Sequence, residues 1–274
     1  MLPNFLVIGT MKGGTSSLYR YLIDHPQIFM PSLKEPLFFS TNWGRGLEWY
    51  ERLFDDAGEA RAIGEASTEY SAHPLHPGVP SRIAKILPEV RLVYLVRHPV
   101  ERMLSEYHDY LVRGVHRDYS ADRPLLNDGY WLVSSYAMQI EQYLEYFSRD
   151  QLLIVKSEDL RSDRIQTLRR VYEFLGVDGS FQSKQLEREF HNTSARRQRR
   201  PLDQALRKIP GYSNAASVAP RSLVRLKNRF TTKKAPPRPG LSDGARREIE
   251  DRLRDDVRRL RRYMGEDFDG WGLA

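Results

Sequence analysis

Six consecutive residues near the start of the chain combine one lysine, two glycines and three hydroxyl side chains: Lys12, Gly13, Gly14, Thr15, Ser16 and Ser17. Adjacent glycines let the backbone curl so that its N–H groups turn inward. A helix that begins on the hydroxyl residues presents N–H groups and the positive end of its dipole to an anion, and the lysine adds a mobile positive charge. These residue types predict a cradle for a phosphate or sulfate group; a structural glycine turn with a surface lysine is the alternative.

The order of the lysine and the glycines distinguishes this loop from other phosphate-binding loops. In the P-loop of nucleoside triphosphatases, the lysine follows the last glycine and is itself followed by Ser or Thr. Here Lys12 precedes Gly13, and the loop does not have the Gly-x-Gly-x-x-Gly pattern of dinucleotide-binding proteins. No acidic residue at the end of an adjacent strand clearly supplies a magnesium ligand, so we expect a reaction without a metal ion. An ATP-dependent kinase of related fold is an alternative, and it would require magnesium.

A second polar cluster follows the apolar run from Arg91 to Val96. Such a continuous run is typical of a strand that is buried on both faces of a parallel sheet. Arg97 comes directly after it, and Pro99 suits the first turn of a helix, where its missing N–H costs nothing. Because ligands of open α/β sheets bind beyond the carboxyl ends of the strands, we expect this corner and the loop after Gly9 to face one cleft.

Together the two segments resemble the sulfotransferases that use 3′-phosphoadenosine 5′-phosphosulfate (PAPS). The stretch from Gly9 to Leu18 is similar to their 5′-phosphosulfate loop, and the stretch from Leu92 to Tyr107 is similar to their 3′-phosphate-binding segment. In that family, the Arg at the strand end and the Ser eight residues later hold the 3′-phosphate, which implies these roles for Arg97 and Ser105. The chain has His98 where the family commonly has Asp.

The resemblance covers roughly residues 4 to 175. It implies a single α/β domain, with a central parallel sheet flanked by helices, in the sulfotransferase fold that is related to P-loop kinases. It also implies PAPS as the donor, with the six loop residues at its sulfate end. The segment Lys34-Glu-Pro-Leu-Phe-Phe39 makes the chain most similar to the heparan sulfate sulfotransferase branch. The expected acceptor is a small molecule, a glycolipid or a sugar.

Transfer of a sulfuryl group to a hydroxyl or amine needs a positive charge on the leaving oxygen and a base for the proton of the acceptor. Lys12 is the expected charge. Glu35 is the expected base, because the matching Glu is the base in the resembling branch, and because Phe38 and Phe39 beside it would dry the site. A surface Glu35 paired with Lys34 is the alternative.

Other candidates lie on the acceptor side. Glu65 and Glu69 flank Ala-Ser-Thr at the end of a predicted strand, in a segment that lines the acceptor site in the family. Either is an alternative base, or a residue that orients the acceptor or Lys12. His73, His76 and His108 are further, weaker alternatives as the base.

Two more contacts with the donor are expected. Tyr136 is at a helical position similar to family residues near the nucleotide and is expected to clamp the adenine; a tyrosine of the core is the alternative. Arg238 is expected to contact the 3′-phosphate. It belongs to a loop-rich segment over residues 190–240 that is expected to form a flap over the donor.

The charge of the chain is uneven. The net charge is +7, yet residues 190–240 hold 13 Lys and Arg with only one acid, and the rest holds 30 basic and 35 acidic residues. This segment predicts an anionic partner, and a nucleic-acid-binding protein is an alternative. It is disfavoured because the few aromatic side chains of the segment (Phe190, Tyr212 and Phe230) do not interleave with the charges.

The composition adds limits on location and metal binding. The 274 residues include no cysteine, which excludes disulfides and cysteine-ligated metal and favours a cytoplasmic location. No apolar stretch is long enough to predict a helix that spans a membrane.

Hydrophobic periodicity predicts strands that alternate with helices, and hence a parallel sheet wrapped by helices. The resemblance implies that residues 1–274 form one domain. The predicted strands cover Phe5–Gly9, Arg61–Gly64, Arg91–Val96 and Leu152–Val155. The predicted helices cover Thr15–His25, Leu47–Phe54, Ser81–Leu87, a segment from Pro99, Gly129–Phe147 and Ile165–Leu175. A last helix over residues 242–264 has a narrow apolar seam and is expected to dock on the domain; a helix at a membrane surface is the alternative.

Overall fold

The structure is a computed structural model of the chain, and it describes residues 1–127, 129–182, 197–199 and 232–274. The strands of the main sheet are β1 (Phe5–Gly9), β2 (Ile28–Phe29), β3 (Ala62–Ala66), β4 (Arg91–Val96) and β5 (Leu152–Lys156). They are all parallel and lie in the order β2-β3-β1-β4-β5. Two short strands, β6 (Arg197–Arg199) and β7 (Thr232–Lys234), pair antiparallel with each other.

Ten α-helices lie in the described part of the chain. They are α1 (Thr15–Leu22), α2 (Leu47–Glu51), α3 (Val79–Ile86), α4 (Pro99–Arg113), α5 (Asp122–Asn127), α6 (Tyr130–Ser134), α7 (Tyr136–Leu144), α8 (Asp159–Ser162), α9 (Arg164–Leu175) and α10 (Asp243–Met264). Short 3₁₀ turns cover Trp43–Arg45, Arg52–Ala57, Thr68–Ser71, Arg149–Gln151 and Gly270–Gly272. The predicted α/β fold, with a central parallel sheet flanked by helices, is confirmed.

Both faces of the central sheet are covered by helices. Phe5 and Val7 of β1 pack in one apolar cluster with α1 and α9. Leu6 and Ile8 point to the other face and pack with α3, α7 and α10. Because consecutive residues of a strand point to opposite faces, a strand that is buried on both faces must be apolar throughout. This is why β1 and β4 are continuous apolar runs in the sequence.

The helix predicted over Gly129–Phe147 is instead divided into α6 and α7. The backbone leaves helical geometry at Ser135, whose ψ is 75°. The carboxylate of Asp256, in α10, accepts hydrogen bonds from the N–H groups of Ala137 (3.0 Å) and Met138 (2.9 Å). A second helix can begin here because its first N–H groups are satisfied by a side chain 119 residues away in sequence.

The last helix packs on the domain through the apolar seam seen in the sequence. Ser242 caps it, since its Oγ accepts a hydrogen bond of 3.2 Å from the N–H of Ala245. Four seam residues are buried: Ile249, Leu253, Val257 and Leu260. The helix contacts α4, α5, α6 and α7. In the described part of the chain, no helix combines the length and apolarity that crossing a bilayer requires.

The flap predicted over residues 190–240 falls largely outside the described residues. Within that segment the structure describes the backbone of β6 and β7 and residues 235–240. The predicted flap over the donor therefore stays a prediction.

Candidate active site

A cavity of about 700 Å³ lies at the carboxyl ends of the parallel strands. Its wall includes residues that follow four of these strands in sequence: Lys12 after β1, Thr68 after β3, Arg97 after β4 and Ser157 after β5. This is the edge at which open α/β sheets bind their ligands.

Most of the residues predicted for the site meet on the wall of this cavity. They are Lys12, Gly14, Thr15, Ser16, Ser17, Glu35, Glu69, Arg97, Ser105 and Arg238. Three predicted residues, Gly13, Glu65 and Tyr136, do not line it. The roles of the individual residues stay predictions.

The glycine-rich loop packs closely on the ends of β4 and β5, and this explains its glycines. A Cβ on Gly13 would lie 3.0 Å from the carbonyl oxygen of Leu95. Gly14 has a φ of 102°, in the left-handed region that favours glycine, and a Cβ there would lie 3.1 Å from Ser157 Oγ. Helix α1 begins at Thr15 with no side-chain cap and no acidic residue in its first turn. Its N-terminus therefore suits an anion in the cavity.

Lys12 is held beside helix α4. Its Nζ lies 3.3 Å from Oδ1 of Asp109, and Nε of Arg113 lies 2.6 Å from Oδ2 of the same carboxylate. Ser105, Asp109 and Arg113 are spaced by four residues, so they share one face of α4, and all three line the cavity.

Arg97 is well placed to receive an anion. Its side chain is nearly buried, and one guanidinium N–H group donates to the backbone oxygen of Lys12 at 3.4 Å. Burial, and then the positive charge of Arg161, lower the pKa of Arg97, against the opposing effect of Glu158 and Glu101. A ligand phosphate beside Arg97 would offset the cost of burying this charge.

A second arginine, Arg102, stabilises the loop through a contact from α4. It was not predicted from the sequence. It is fully buried in α4 and donates to Glu106 Oε2 (2.7 Å), Ser134 Oγ (2.6 Å) and the backbone oxygen of Tyr130 (2.8 Å). It also donates to the backbone oxygen of Met11 at 3.3 Å. One side chain thus ties the loop to α4 and α6.

Glu35 lies in the loop between β2 and α2, and Nζ of Lys34 is 3.3 Å from its Oε1. The side chain of Glu35 is 35% exposed. Phe38 and Phe39 do not dry it, because both rings are buried in the core, where Phe38 stacks on Tyr50 at a centroid distance of 4.3 Å. The ion pair with Lys34 and the position of Glu35 on the cavity wall are thus both present.

Glu65 does not reach the cavity. It is 1% exposed, and it accepts hydrogen bonds from the hydroxyls of Tyr50 (3.3 Å) and Ser67 (2.8 Å). Burial raises the pKa of Glu65 to about 7, although these hydrogen bonds act in the opposite direction. Ser67 Oγ also accepts from the N–H of Leu37 at 3.0 Å. Glu65 therefore supports the loop that carries Glu35.

Glu69 lines the cavity, and its Oε2 atom has three partners. Ser40 Oγ and Thr41 Oγ1 each donate at 3.2 Å, and Nε2 of His76 lies at 3.3 Å. None of the three histidines considered as bases is on the cavity wall. His108 instead has its Nε2 atom 2.9 Å from the backbone oxygen of Pro236.

Tyr136 takes the core position that was its alternative. It is fully buried, and its hydroxyl donates to the backbone oxygen of Arg97 at 2.7 Å. Arg238 lies on the cavity wall because its segment is held at two points: at Pro236 by His108, and at Gly240, whose backbone oxygen accepts from the N–H of Ala121 at 3.0 Å.

Several residues of the wall were missed in the sequence. They are Lys34, Asp109, Tyr110, Arg113, Ser157, Leu160, Arg161 and Arg164. Two signals point to three of them: the spacing of four after Ser105 on a predicted helix points to Asp109 and Arg113, and the position directly after the strand that ends at Lys156 points to Ser157. Lys34 has no such signal, because its placement depends on the path of a loop.

The wall is strongly basic. Seven basic residues line it (Lys12, Lys34, Arg97, Arg113, Arg161, Arg164 and Arg238), against three acidic ones (Glu35, Glu69 and Asp109). A surplus of four positive charges suits a ligand with several negative charges. Among the described residues, no group of three or more His, Asp and Glu side chains is arranged to hold a metal ion.

Comparison with known proteins identifies the family. The family model described as "Sulfotransferase domain" matches residues 2–209. The chain belongs to this sulfotransferase family. A solved sulfotransferase from Alicyclobacillus acidocaldarius superposes on this sulfotransferase-family protein with a TM-score of 0.71 and 26% identity, over 99% of both chains.

Two curated relatives act on heparan sulfate, according to their names. The bifunctional heparan sulfate N-deacetylase/N-sulfotransferase 4 of Mus musculus is 34% identical over 200 residues, which are 64% of this chain and 22% of that protein. The heparan sulfate glucosamine 3-O-sulfotransferase 6 of Homo sapiens is 30% identical over 98% of this chain and 74% of its own. The chain spans less than half the length of the first curated relatives that it matches.

Proposed function

We propose that this sulfotransferase-family protein transfers the sulfuryl group of PAPS to a hydroxyl or amine of a sugar, glycolipid or other small-molecule acceptor. The observation that carries the proposal is the cavity, which brings the glycine-rich loop after β1 together with Arg97 and Ser105 after β4. Two anion-binding places at neighbouring strand ends suit a nucleotide with charged groups at both its 5′ and 3′ positions. ATP has no 3′-phosphate, so the kinase alternative is not favoured.

The charges of the wall fit this donor. PAPS carries about four negative charges near neutral pH, which equals the surplus of positive charge on the wall. When bound, it supplies a phosphosulfate in which the bond between sulfur and the bridging oxygen breaks. The N-terminus of α1 and Lys12 would hold the 5′ end, and Arg97, Ser105 and Arg238 would hold the 3′-phosphate. Lys12 would stabilise the charge that develops on the leaving oxygen.

Glu35 is the base in this proposal. It lies on the cavity wall, beside the residues that would hold the sulfate end, and a base must first be within reach of the proton that it removes. Glu65, whose pKa is raised to about 7 by burial, is not on the wall. Glu69 would then orient the acceptor, since Ser40, Thr41 and His76 hold its carboxylate in place.

The relatives named for heparan sulfate glucosamine support a sugar as the acceptor. The expectations of a cytoplasmic location, of a reaction without a metal ion and of no nucleic-acid partner stay predictions.

Calorimetric titration tests the donor site. We expect adenosine 3′,5′-bisphosphate, the product of the donor, to bind at least about 100-fold more tightly than ATP with magnesium, since the 3′-phosphate would make charge-assisted contacts with Arg97, Ser105 and Arg238 that ATP lacks. A preference for ATP would overturn the proposal. Arg97→Ala and Ser105→Ala should each weaken the bisphosphate, while Arg52→Ala, on the exposed surface, should not.

Turnover tests the base. Glu35→Gln should reduce the rate of sulfuryl transfer by about 100-fold or more, with little change in affinity for the bisphosphate. The matched control is Glu89→Gln, because Glu89 is exposed and does not line the cavity. If Glu35→Gln keeps its activity, the base is elsewhere.

A further inference from the structure

Lys34 is a basic residue of the wall that joins the glycine-rich loop to Glu35. Its Nζ donates to Ser16 Oγ in a short hydrogen bond and lies 3.3 Å from Glu35 Oε1. Its side chain is 32% exposed, and it lines the cavity. The same ammonium therefore touches the loop predicted to hold the sulfate end of the donor and the carboxylate proposed as the base.

The loop that carries Lys34 is held in an unusual conformation. Glu35 and Leu37 have φ angles of 58° and 55°, in the left-handed region, which is costly for residues other than glycine. Three contacts hold this conformation. Ser67 Oγ accepts from the N–H of Leu37, Asn42 Nδ2 donates to the backbone oxygen of Pro36 at 2.7 Å, and the N–H of Asn42 donates to the backbone oxygen of Leu37 at 2.9 Å. Lys34 is thus brought to α1 by a supported loop rather than by a chance contact of a surface side chain.

The chemistry of an ammonium group allows a further contact. It has three donors and no acceptor. Among the described residues, Ser16 and Glu35 take two of them. Ser16 is a neutral partner at the N-terminus of α1, where an anion is favoured. A negatively charged ligand group at that place would be a stronger partner for the ammonium than a hydroxyl is.

Lys12, the ammonium within the loop, differs from Lys34 in the burial of its acidic partner. It lies 3.3 Å from Asp109, whose carboxylate is 1% exposed, whereas the Glu35 carboxylate beside Lys34 is 35% exposed. Part of its positive charge is therefore offset inside the protein. A second cation at the same loop would add to the positive field at the 5′ end of the donor.

We propose that Lys34 is a second cationic contact for the 5′-phosphosulfate of the donor, and that it holds Glu35 beside the same group. The proposal rests on the proposed function. In it, Lys12 and Lys34 both contact the 5′ end. Because its ammonium contacts both Glu35 and the 5′ group, Lys34 positions the base next to the donor.

Three nucleotides that differ at their 5′ end test this proposal by calorimetry without any acceptor. They are PAPS, adenosine 3′,5′-bisphosphate and adenosine 3′-phosphate, and the last has no 5′ group at all. We expect Lys34→Met to weaken PAPS and the bisphosphate by about 10- to 100-fold, the range for a lost charge-assisted contact. Adenosine 3′-phosphate should bind as it does to the unchanged protein, within about twofold, because its contacts are with Arg97 and Ser105.

Control variants separate charge from folding. Lys34→Arg keeps the positive charge and should retain most of the affinity for PAPS. Lys85→Met, at an exposed position of α3, should leave all three affinities unchanged. Lys34→Gln, with a polar side chain, is the second variant if Lys34→Met fails to fold, and the same losses are expected of it.

The outcomes are distinguishable from failure of the proposed function. If the unchanged protein does not prefer the bisphosphate to ATP, the proposed function fails, and this inference fails with it. If the unchanged protein binds as proposed but Lys34→Met binds PAPS equally well, only the role of Lys34 is overturned. An equal loss for all three nucleotides would also overturn it, because the effect would then not be located at the 5′ group.

Discussion

The ammonium of Lys12 lies 3.3 Å from the carboxylate of Asp109, and this carboxylate is 1% exposed. Asp109 also pairs with Arg113 one turn further along α4. A buried acid thus lies on the wall of a cavity in which basic residues outnumber acidic ones. It fixes the direction of Lys12, and at the same time it reduces the positive potential that an anionic ligand would meet.

Asp109→Asn should therefore separate binding from turnover. Removal of the negative charge should tighten the binding of adenosine 3′,5′-bisphosphate by about 3- to 10-fold, since the positive potential of the cavity rises. The rate of sulfuryl transfer should fall, because Lys12 loses the partner that directs it. Calorimetry and turnover measured on the same preparation check both parts. Weaker binding of the bisphosphate would contradict this view, and Asp251→Asn on the exposed surface of α10 is the control.

Arg102 should be a major determinant of stability. Its guanidinium is fully buried, pairs with Glu106 and donates to the backbone oxygens of Met11 and Tyr130. Arg102→Ala leaves a buried carboxylate and two carbonyl groups without their partner, so we expect it to lower the free energy of unfolding by about 3–5 kcal/mol. Urea denaturation measures this loss.

Arg258→Ala is the matched control for Arg102→Ala. Arg258 is 59% exposed and pairs with Asp255, so its replacement should change the free energy of unfolding by about 0.5 kcal/mol or less. Equal effects of the two variants would show that the buried network of Arg102 does not stabilise the fold.

The parts of the fold that could be predicted are those whose cause is local. The bounds of β1 and β4 were predicted because a strand buried on both faces must be apolar along its whole length. The glycine-rich loop could be recognised because its function needs particular residue types at adjacent positions. Arg97 could be placed because it directly follows a predicted strand, and Ser105 because it lies eight residues later, as in the segment of the sulfotransferases that the sequence resembles.

The remaining features depend on contacts between distant parts of the chain. The break at Ser135 depends on Asp256, and the position of Lys34 depends on Ser67 and Asn42. Glu65 looked like an acceptor contact because it stands at a strand end, but its side chain points to Tyr50 and is buried. Strand β2 has only two residues, too few for any periodicity to show.

The capping role of Asp256 can be tested directly. Asp256→Ala removes the acceptor of the first N–H groups of α7, so we expect the free energy of unfolding to fall by about 2 kcal/mol. The amide hydrogens of Ala137 and Met138 should also exchange faster with solvent, because they lose their partner. The neighbouring Asp255→Ala, at a residue that is 88% exposed, should change neither quantity. Unchanged exchange at Ala137 in Asp256→Ala would contradict the capping role.

Glu65 should make the stability of the protein depend on pH. Burial raises its pKa from an ordinary value near 4.5 to about 7. In the unfolded chain the carboxyl loses its proton above about pH 4.5, whereas in the folded protein it keeps the proton until about pH 7. The folded state therefore binds more protons over this interval. The stability that Glu65 contributes is fully present below pH 4.5 and is lost as the pH rises to 7, by about 3 kcal/mol in all.

Glu65→Gln should remove this dependence, because the amide does not titrate. The difference in free energy of unfolding between Glu65→Gln and the unchanged protein should shift in favour of the variant by about 3 kcal/mol between pH 4.5 and 7.5. Urea denaturation at several pH values in this interval measures it. The replacement of a carboxyl oxygen by an NH2 group has its own effect on the free energy of unfolding at every pH. This effect is the same at each pH, so it cancels when only the change with pH is compared. For the exposed control Glu89→Gln, the difference in free energy of unfolding should be constant with pH. A constant difference for Glu65→Gln as well would mean that the buried carboxyl does not keep its proton in the folded protein.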